Sequence, residues 1–475
     1  MASYTSRAYT RCVWTGRDFK KVTGLQYVRS FSASVYRSTK DGTFQDTART
    51  LDEADPIAGA AAKFRIPSRV DITRNNDIDD PHTKSVYLAG NSLGLQPVRT
   101  YELLKEELDV WAKDGVNGHF RHSHNRPWLS IDETVTTIMA NVVGAKTEEV
   151  AVMSTLTTNL HLLLSAFYRP TSDRYKIIIE NKAFPSDHYA VESQIEIHGY
   201  DKADALVQIK PQEGNYILPT QQILDTITEH ADNTALLLLP GIQYYTGQAF
   251  EVEKITKYAQ SLGIIVGWDM AHAAGNLKLQ LHDWNVDFAV WCTYKYLNSG
   301  PGGIGGLFVH EKNFDRPRLT GWWAHEKSTR FLMDNNFVPG KGASAFQLSN
   351  PSVLDTVALL ASLEVFDQYG IAALRQKSEN LTGFLETMLK ATFPVDPPFT
   401  IITPSDPAQR GAQLSLLFKP GLMDKVHAHL DASAITTDER KPDVIRVAPT
   451  PLYNSYSDVV KFVEGLKTAL EAASA

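Results

Sequence analysis

Short apolar runs alternate with segments of helical periodicity between about residues 150 and 310. The runs occupy residues 150–153, 175–179, 235–239, 264–268, 288–292 and 306–309. Continuous apolar runs of this length, separated by helices, are typical of parallel strands that are buried on both faces of a sheet. The pattern therefore predicts an α/β fold with a mainly parallel central sheet and helices on both faces.

Weaker patterns on either side of this region predict an arm and a second domain. Residues 43–62 suit an N-terminal arm, 86–89 a short strand, and 97–114 a helix that opens with a proline. After residue 349, two long helical stretches precede less regular strands and a final helix, which is typical of a small α+β domain. The predicted units are an extension (1–42), an N-terminal arm (43–96), a large domain (97–345) and a small C-terminal domain (346–475).

The charge balance and the cysteine content exclude several classes of partner. The chain has 47 Lys and Arg against 54 Asp and Glu, a net charge of -7, so no basic surface for nucleic acid or an anionic membrane is expected. No stretch approaches the roughly 18 apolar residues that a membrane span needs. Because there are only two cysteines, Cys12 and Cys292, we expect a reducing compartment and no disulfide framework. The expected partner is a small molecule.

The first forty residues differ in composition from the rest of the chain. They contain eight Lys or Arg, a single acidic residue, Asp18, and many hydroxyl residues. This composition is typical of a mitochondrial transit peptide, and the alternative is a disordered extension or a start site placed too early. Both alternatives stay open, and both place the start of the fold later.

Two predicted strands end in residues that suit one particular cofactor. Asp269 follows the run at 264–268, and Lys295 comes shortly after the run at 288–292. In open α/β sheets, ligands bind outside the carboxyl ends of the strands. Pyridoxal phosphate needs a lysine that bonds covalently to its aldehyde and an acid that keeps its ring nitrogen protonated. By position alone, an ordinary surface lysine remains the alternative explanation for Lys295.

Two further strand ends strengthen the prediction of pyridoxal phosphate. After the run at 150–153, hydroxyl residues around Leu156 and Thr157 open a helix, whose free N–H groups and dipole would face a phosphate. Simple helix capping by a threonine is the alternative there. After the run at 175–179, Phe184 offers an aromatic plane for a ring and Asp187 offers an acid beside it.

Three motifs suggest other functions. Gly90 to Gly94 fits the G-x-S-x-G pattern of serine hydrolases, with Ser92 as nucleophile, but no HGGG-type oxyanion loop accompanies it. Gly300 to Gly305 fits G-x-G-x-x-G, yet it precedes a strand-like run instead of opening a helix, which argues against a dinucleotide site. A histidine cluster at residues 119, 122 and 124 has neither cysteines nor a Glu-x-x-His helix beside it, so no metal site is predicted.

Nine motifs follow one another in a fixed order along the chain: YLAGNSLGLQP from residue 87, FPSD from 184, YYTGQ from 244, DMAHAAGN from 269, LHDWNVDF from 281, YKYLN from 294, GWW from 321, FQLSNP from 346 and RVAP from 446. They resemble those of the kynureninases, which are pyridoxal-phosphate enzymes of fold type I, the aspartate aminotransferase fold. The resemblance runs from about Tyr87 to Ser455. It implies a fold type I architecture with a large cofactor-binding domain and a smaller C-terminal domain.

The resemblance also implies a role for individual residues. Lys295 would carry the cofactor and move the substrate's α-proton, while Asp269 would bind the pyridine nitrogen and Phe184 would stack on the ring. The implied cofactor-binding residues are Leu156, Thr157, Phe184, Pro185, Ser186, Asp187, Asp269, His272, Tyr294, Lys295, Trp322 and Asn350. The implied substrate-binding residues are Ser92, His119, Asn350 and Arg446. Arg446 would pair with the substrate's α-carboxylate, and Trp322 and Asn350 would reach across a dimer interface. Pro240 replaces a small hydroxyl residue of some relatives and is assigned no role.

The activity implied by the resemblance is hydrolysis of the Cβ–Cγ bond of L-kynurenine or 3-hydroxy-L-kynurenine. The products are L-alanine and anthranilate or 3-hydroxyanthranilate, in tryptophan catabolism and de novo NAD biosynthesis through quinolinate. A homodimer and a cytoplasmic location are also implied, whereas the N-terminal composition favours mitochondria. The alternatives are another fold type I enzyme, such as an aminotransferase or a desulfurase, a non-catalytic pyridoxal-binding protein, and the serine hydrolase above.

Overall fold

A computed structural model of the protein describes residues 43–474. The predicted targeting extension, residues 1–42, lies outside this range. The chain begins with helix α1 (Phe44–Glu53), helix α2 (Arg69–Thr73), strand β1 (Val86–Tyr87), helix α3 (Val98–Asp114) and helix α4 (Glu133–Val143). Pro97 immediately precedes α3, as the sequence predicts, because its fixed φ suits the start of a helix.

A seven-stranded sheet forms the centre of the molecule. Its strands are β2 (Val150–Val152), β3 (Lys176–Glu180), β4 (Leu206–Ile209), β5 (Thr234–Pro240), β6 (Ile265–Asp269), β7 (Phe288–Cys292) and β8 (Gly305–Val309). The order across the sheet is β2-β8-β7-β6-β5-β3-β4. Only β8 runs antiparallel to its two neighbours, and every other pairing within the sheet is parallel. The predicted mainly parallel sheet is confirmed.

Helices cover both faces of this sheet. They are α5 (Leu156–Phe167), α6 (Pro185–Ile197), α7 (Lys202–Ala205), α8 (Thr220–Glu229) and α9 (Val252–Ser261). Successive residues of β5 pack into different apolar clusters: Leu237 and Leu239 join one, and Leu236 and Leu238 join the other. Since side chains alternate along a strand, this division shows that both faces of the sheet are buried. It also explains why the central strands are continuous apolar runs in the sequence.

The C-terminal part of the chain builds a second sheet. Its elements are α10 (Val353–Tyr369), α11 (Ile371–Thr392), β9 (Phe399–Ile401), β10 (Leu414–Phe418), α12 (Met423–Ala432), β11 (Ile435–Thr436), β12 (Asp438–Arg440), β13 (Val444–Val447) and α13 (Tyr456–Ser474). Four strands form an antiparallel sheet in the order β12-β13-β10-β9, and β1 pairs in parallel with β11. The N-terminal helix α1 packs on α13, so the arm contacts this smaller unit.

Helices α10 and α11 meet at Gly370, where φ is +75° and the chain bends by 85°. Helix α10 packs against α3 and α4 in the same apolar cluster as one face of the central sheet, whereas α11 belongs to the cluster of the smaller unit. The domain boundaries at 96/97 and 345/346 stay a prediction. Among the residues described, no single helix is long and apolar enough to cross a membrane, and only the bent pair α10 and α11 meets that test by length and composition.

Candidate active site

A cavity at the carboxyl edge of the central sheet brings most of the predicted cofactor residues together. Its wall is formed by the ends of β3, β5 and β6 and by the segments that follow β2 and β7. The lining residues are Leu156, Thr157, Glu180, Phe184, Ser186, Asp187, Pro240, Ile242, Tyr244, Asp269, Ala271, His272, Tyr294 and Lys295. The four predicted strand ends therefore meet in one place. Pro185, the remaining residue of the FPSD motif, is the first residue of α6.

Lys295 lies near two aromatic rings. Its Nζ is 5.8 Å from the ring centroid of Phe184 and 5.9 Å from that of Tyr294. The Phe184 ring meets Tyr244 edge to face, with centroids 5.2 Å apart. Behind the lysine, the N–H of Gly94 donates to the carbonyl of Tyr294 at 2.8 Å. The backbone that carries Lys295 is thus held by the segment after β1.

Two aspartates that line the cavity differ in their hydrogen bonds. Oδ1 of Asp269 accepts a hydrogen bond of 2.7 Å from the N–H of Ala271, whereas Oδ1 of Asp187 is buried and has no donor among the described residues. Burial, and then the charge of Asp269 and a hydrogen bond shared with it, raise the pKa of Asp187 well above its usual range. A protonated pyridine nitrogen would supply the donor that Asp187 lacks, so the pair fits the ring of pyridoxal phosphate.

The start of helix α5 fits a phosphate group. Thr155, at the N-cap position, accepts no hydrogen bond from a backbone N–H of the helix, and its hydroxyl lies 3.1 Å from that of Thr158, so the alternative of simple capping is not what the structure shows. The hydroxyls of Thr157 and Ser186 lie 2.5 Å apart at the cavity wall. A Cβ atom on Gly305 would lie 3.0 Å from the N atom of Leu156, so a glycine lets β8 approach the helix start closely. Free N–H groups beside two hydroxyls form a suitable anion site.

His272 is a neutral group in this cavity. Its side chain is buried, and Nδ1 has no hydrogen-bond partner among the residues that the structure covers. Burial, followed by the positive charge of Lys295, holds the pKa of His272 well below its usual value. The imidazole can therefore accept a hydrogen bond at Nδ1 or donate one to a bound group without carrying a charge.

Arg446 lies beside the cavity and is not among its lining residues. It is fully buried in β13, and its guanidinium forms an ion pair with Asp438, the residue directly opposite on β12. Its Nη1 donates to the carbonyl of Tyr244 at 2.8 Å, while its Nε is buried without a partner. Sequence reasoning missed Asp438, because nothing in a short strand reveals its register against another.

Three predicted residues lie in a different cavity. His119, Trp322 and Asn350 line an open, mainly apolar pocket of about 430 Å³ together with Phe120 and Phe331. Ser92 lies in the turn after β1 and lines neither this pocket nor the cofactor cavity. Within one subunit, the structure thus separates His119, Trp322 and Asn350 from the cofactor cavity. Their assignments stay predictions.

The rival motifs have structural explanations. The hydroxyl of Ser92 makes no hydrogen bond to any histidine in the described range, and a helix begins only at Val98, which is unlike a nucleophile elbow. Gly300 and Gly302 have φ values of +97° and +68° in a loop that enters strand β8, so these glycines serve the turn behind Lys295. His122 binds the buried carboxylate of Glu107 at 2.8 Å.

A second cluster of ionisable side chains lies at the opposite edge of the sheet. Glu149 accepts a hydrogen bond from Nδ1 of His282 at 2.9 Å, and Nδ1 of His310 lies 3.9 Å from the same carboxylate. The two imidazole rings are stacked, with centroids 4.9 Å apart and planes only 12° apart. A shared metal ion would have to lie in both ring planes, which stacked rings do not allow. We interpret the cluster as a hydrogen-bond network in which Glu149, just before β2, accepts from His282, before β7, and from the N–H of Glu311, after β8.

Solved structures with a similar fold are pyridoxal-phosphate enzymes. A cysteine desulfurase from Escherichia coli superposes with a TM-score of 0.69 at 19% identity, covering 87% of this chain and 98% of that one. A mutant of C-DES with glycine covalently linked to its PLP cofactor has a TM-score of 0.68 at 16% identity, covering 84% and 99%. These similarities establish the fold.

Sequence comparison is more specific. The family model for the kynureninase C-terminal domain matches residues 374–466. The kynureninase of Coccidioides immitis (strain RS) is 54% identical over 88% of this chain and 92% of its own length. Kynureninase 1 of Emericella nidulans is 53% identical over 94% of this chain and 98% of its own length. The chain belongs to the kynureninase family.

Proposed function

We propose that the protein is a pyridoxal-phosphate-dependent kynureninase that hydrolyses the Cβ–Cγ bond of L-kynurenine or 3-hydroxy-L-kynurenine. The observation that carries this proposal is the meeting of Lys295, Asp187 and Asp269 in one cavity in a chain that is 54% identical to a kynureninase. Water adds across the bond: its hydroxyl joins the aryl carbonyl carbon and a proton joins Cβ. The products are anthranilate or 3-hydroxyanthranilate and L-alanine, as in tryptophan catabolism and de novo NAD biosynthesis.

Different residues of the cavity would bind different parts of the cofactor. The N-terminus of α5, with Thr157 and Ser186, would bind the phosphate, and Phe184 would lie against the ring. Asp269 and Asp187 would hold the proton of the ring nitrogen between two buried carboxyls. When bound, pyridoxal phosphate supplies an aldehyde for covalent attachment and a ring that accepts electrons from the substrate's α-carbon.

Lys295 is the residue placed to move protons. Its Nζ, held among the rings of Phe184 and Tyr294, would take the proton from the substrate's α-carbon and later return it. His272, beside Lys295, stays uncharged, so it does not compete with the lysine for a negatively charged group.

Arg446 would bind the α-carboxylate of the substrate. A guanidinium can bind two anions at once through different edges. In Arg446, Nη2 is used by Asp438 and Nη1 by the carbonyl of Tyr244, while Nε is free for a further acceptor. We expect Arg446→Lys to raise KM more than it lowers kcat, since lysine keeps the positive charge but lacks the planar N–H donors of the guanidinium.

The assembly that we propose is a homodimer in which each subunit completes the other's site. The support is the placement of Trp322 and Asn350 in a separate open pocket, surrounded by exposed apolar side chains. Those side chains include Val116, Phe120, Phe331, Leu332 and Met333, all more than 45% exposed. A patch of this kind on one chain is typical of an interaction surface.

Hybrid dimers test this assembly. A Lys295→Ala subunit and a Trp322→Ala subunit, each inactive alone, would form one intact site per mixed dimer. Random pairing of equal amounts should recover about one quarter of the wild-type activity, because half of the dimers are mixed. Absence of recovery in a mixture that is dimeric by light scattering would contradict a shared site.

Turnover itself tests the activity. Purified protein incubated with pyridoxal phosphate should convert L-kynurenine or 3-hydroxy-L-kynurenine to equal amounts of L-alanine and the aromatic acid, measured by chromatography. Lys295→Ala should form neither product. A cysteine desulfurase activity is disfavoured, because Cys292, the only cysteine in the described range, is buried.

For the cellular location we propose the cytoplasm, as the family resemblance implies. The basic, acid-poor composition of residues 1–42 makes mitochondrial import the competing outcome. Imaging of a fluorescent fusion of the full chain beside one that starts at Thr43 distinguishes the two. Import that depends on residues 1–42 would overturn the cytoplasmic assignment.

A further inference from the structure

Glu180 lies in the wall between two cavities. It is the last residue of β3, is only 3% exposed, and is paired with Ile209 of β4. On one side it lines the cofactor cavity. On the other it lines a second cavity of about 290 Å³, here called the side groove, which is bounded by residues 180–182, 210–218 and 243–248. None of the roles assigned above uses this carboxyl.

The surroundings of Glu180 favour its neutral form. Burial is the main cause that raises the pKa of Glu180 to about 8, and the charge of Asp269 raises it further. The same environment links Glu180 to Asp187, whose proton affinity increases with the charge on Glu180. Charged and titratable groups that line the two cavities around it are Asp187, Asp269, His272, Lys295, Tyr244, Tyr294, Lys182, Lys210, Glu213, Tyr216 and Tyr245.

The side groove would connect Glu180 with solvent water, and it carries positive charges that can balance an ionised carboxyl. It is open to solvent and is lined at its inner end by Glu180, of which only 3% is exposed. Lys182 and Lys210 line the groove, and neither forms an ion pair with a described residue. Their positive charges can balance the negative charge that appears when Glu180 loses its proton to water.

We propose that Glu180 is a positioning residue that exchanges a proton with water in the side groove and thereby sets the protonation of the Asp187–Asp269 pair. When Glu180 is neutral, Asp187 holds its proton beside the charge of Asp269. When Glu180 ionises, a second negative charge appears next to Asp187 and strengthens its hold on the proton. The proposal rests on the proposed function only in that this pair would bind the ring nitrogen of the cofactor. The proton exchange of Glu180 itself takes place in the protein without cofactor.

A purely structural glutamate would behave differently. Replacing a buried carboxyl that only fills space by glutamine removes its own titration but leaves the titration of neighbouring groups, such as Asp187, unchanged. Among the described residues the carboxyl of Glu180 accepts a hydrogen bond only from its own backbone and has no side-chain partner, so it does not hold another element in place. The distinguishing readout is therefore a pH titration.

Infrared spectroscopy of the full chain without cofactor measures this titration directly. In the wild type we expect a protonated-carboxyl band to disappear with a midpoint of about pH 8, and in Glu180→Gln this transition should be absent. Asp458→Asn is the matched control: it also removes a buried carboxyl with a raised pKa, but on α13 in the smaller unit. The control should keep the transition. In the holoenzyme, the visible absorption band should shift over the same pH range in the wild type and not in Glu180→Gln.

Two outcomes overturn the proposal. One is a wild type without a carboxyl transition near pH 8, and the other is a Glu180→Gln protein that keeps it. If Glu180→Gln does not fold by circular dichroism, Glu180→Asp replaces it, and an unchanged midpoint in that variant also overturns the proposal. Failure of the proposed function is distinguishable, since it would appear as absent kynurenine turnover with the infrared transition intact.

Discussion

Replacement of Gly94 by alanine would place a methyl group against the backbone of Lys295. The new Cβ would lie 2.2 Å from the carbonyl oxygen of Lys295 and 2.3 Å from Oδ1 of Asn298. Contacts below 3.0 Å are not tolerated, so the two segments must separate by about 0.8 Å. Because a displacement of about 1 Å at a catalytic group costs about 100-fold in rate, we expect kcat/KM to fall by about that factor. Overpacking should also lower the free energy of unfolding by about 1–3 kcal/mol.

The assay is kynurenine turnover by holoenzyme that is shown to be folded by circular dichroism at the assay temperature. Gly383→Ala provides the matched control, since the same methyl group is added inside helix α11 with nothing within 4 Å. The control should keep wild-type turnover and gain up to about 1 kcal/mol of stability from helix propensity. Turnover of Gly94→Ala within about threefold of the wild type would refute the idea that this contact positions Lys295.

Three further perturbations test the site and the fold. Thr157→Ala and Ser186→Ala each remove a hydroxyl from the phosphate site, so the cofactor's Kd should rise about 10- to 100-fold in fluorescence titrations. Lys377→Met breaks the buried ion pair with Asp55, 2.8 Å long, and should lower the free energy of unfolding by about 3–5 kcal/mol in urea, with cofactor content unchanged. His272 has a pKa below its ordinary 6.5 in the folded state, so below that pH the unfolded chain binds a proton that the folded chain does not, and stability falls as pH falls. His272→Asn should remove up to about 1.4 kcal/mol per pH unit of that loss, measured by urea unfolding of the cofactor-free protein at several pH values.

The central sheet could be predicted because strands that are buried on both faces appear in the sequence as continuous apolar runs. All six predicted runs are strands, and the helices between them follow. Strand β4 was missed, because it is a half-exposed edge strand whose four residues, from Leu206 to Ile209, include a glutamine. The antiparallel direction of β8 was also not predicted, since direction depends on the connection from β7, which contains a glycine-rich loop and no helix.

The site could be predicted only where its residues follow strand ends closely in sequence. Lys295, Asp269 and Asp187 meet this condition, and the parallel sheet brings them together. Asp438 does not, because its role depends on the register of β12 against β13. Glu180 stands at the end of β3 itself, but its place between two cavities depends on which loops face each other across the sheet edge. The separate pocket of Trp322 and Asn350 could likewise not be predicted from the sequence, since it depends on how the loops before α10 pack against the rest of the chain.

Covalent trapping of the cofactor tests the central claim most directly. Protein loaded with pyridoxal phosphate is reduced with borohydride, digested, and the modified peptide is sequenced by mass spectrometry. The account predicts a single pyridoxyl group on Lys295, and none in Lys295→Ala. A pyridoxyl group on another lysine, or no modification of a folded wild-type protein, would contradict the assignment of this cavity as the active site.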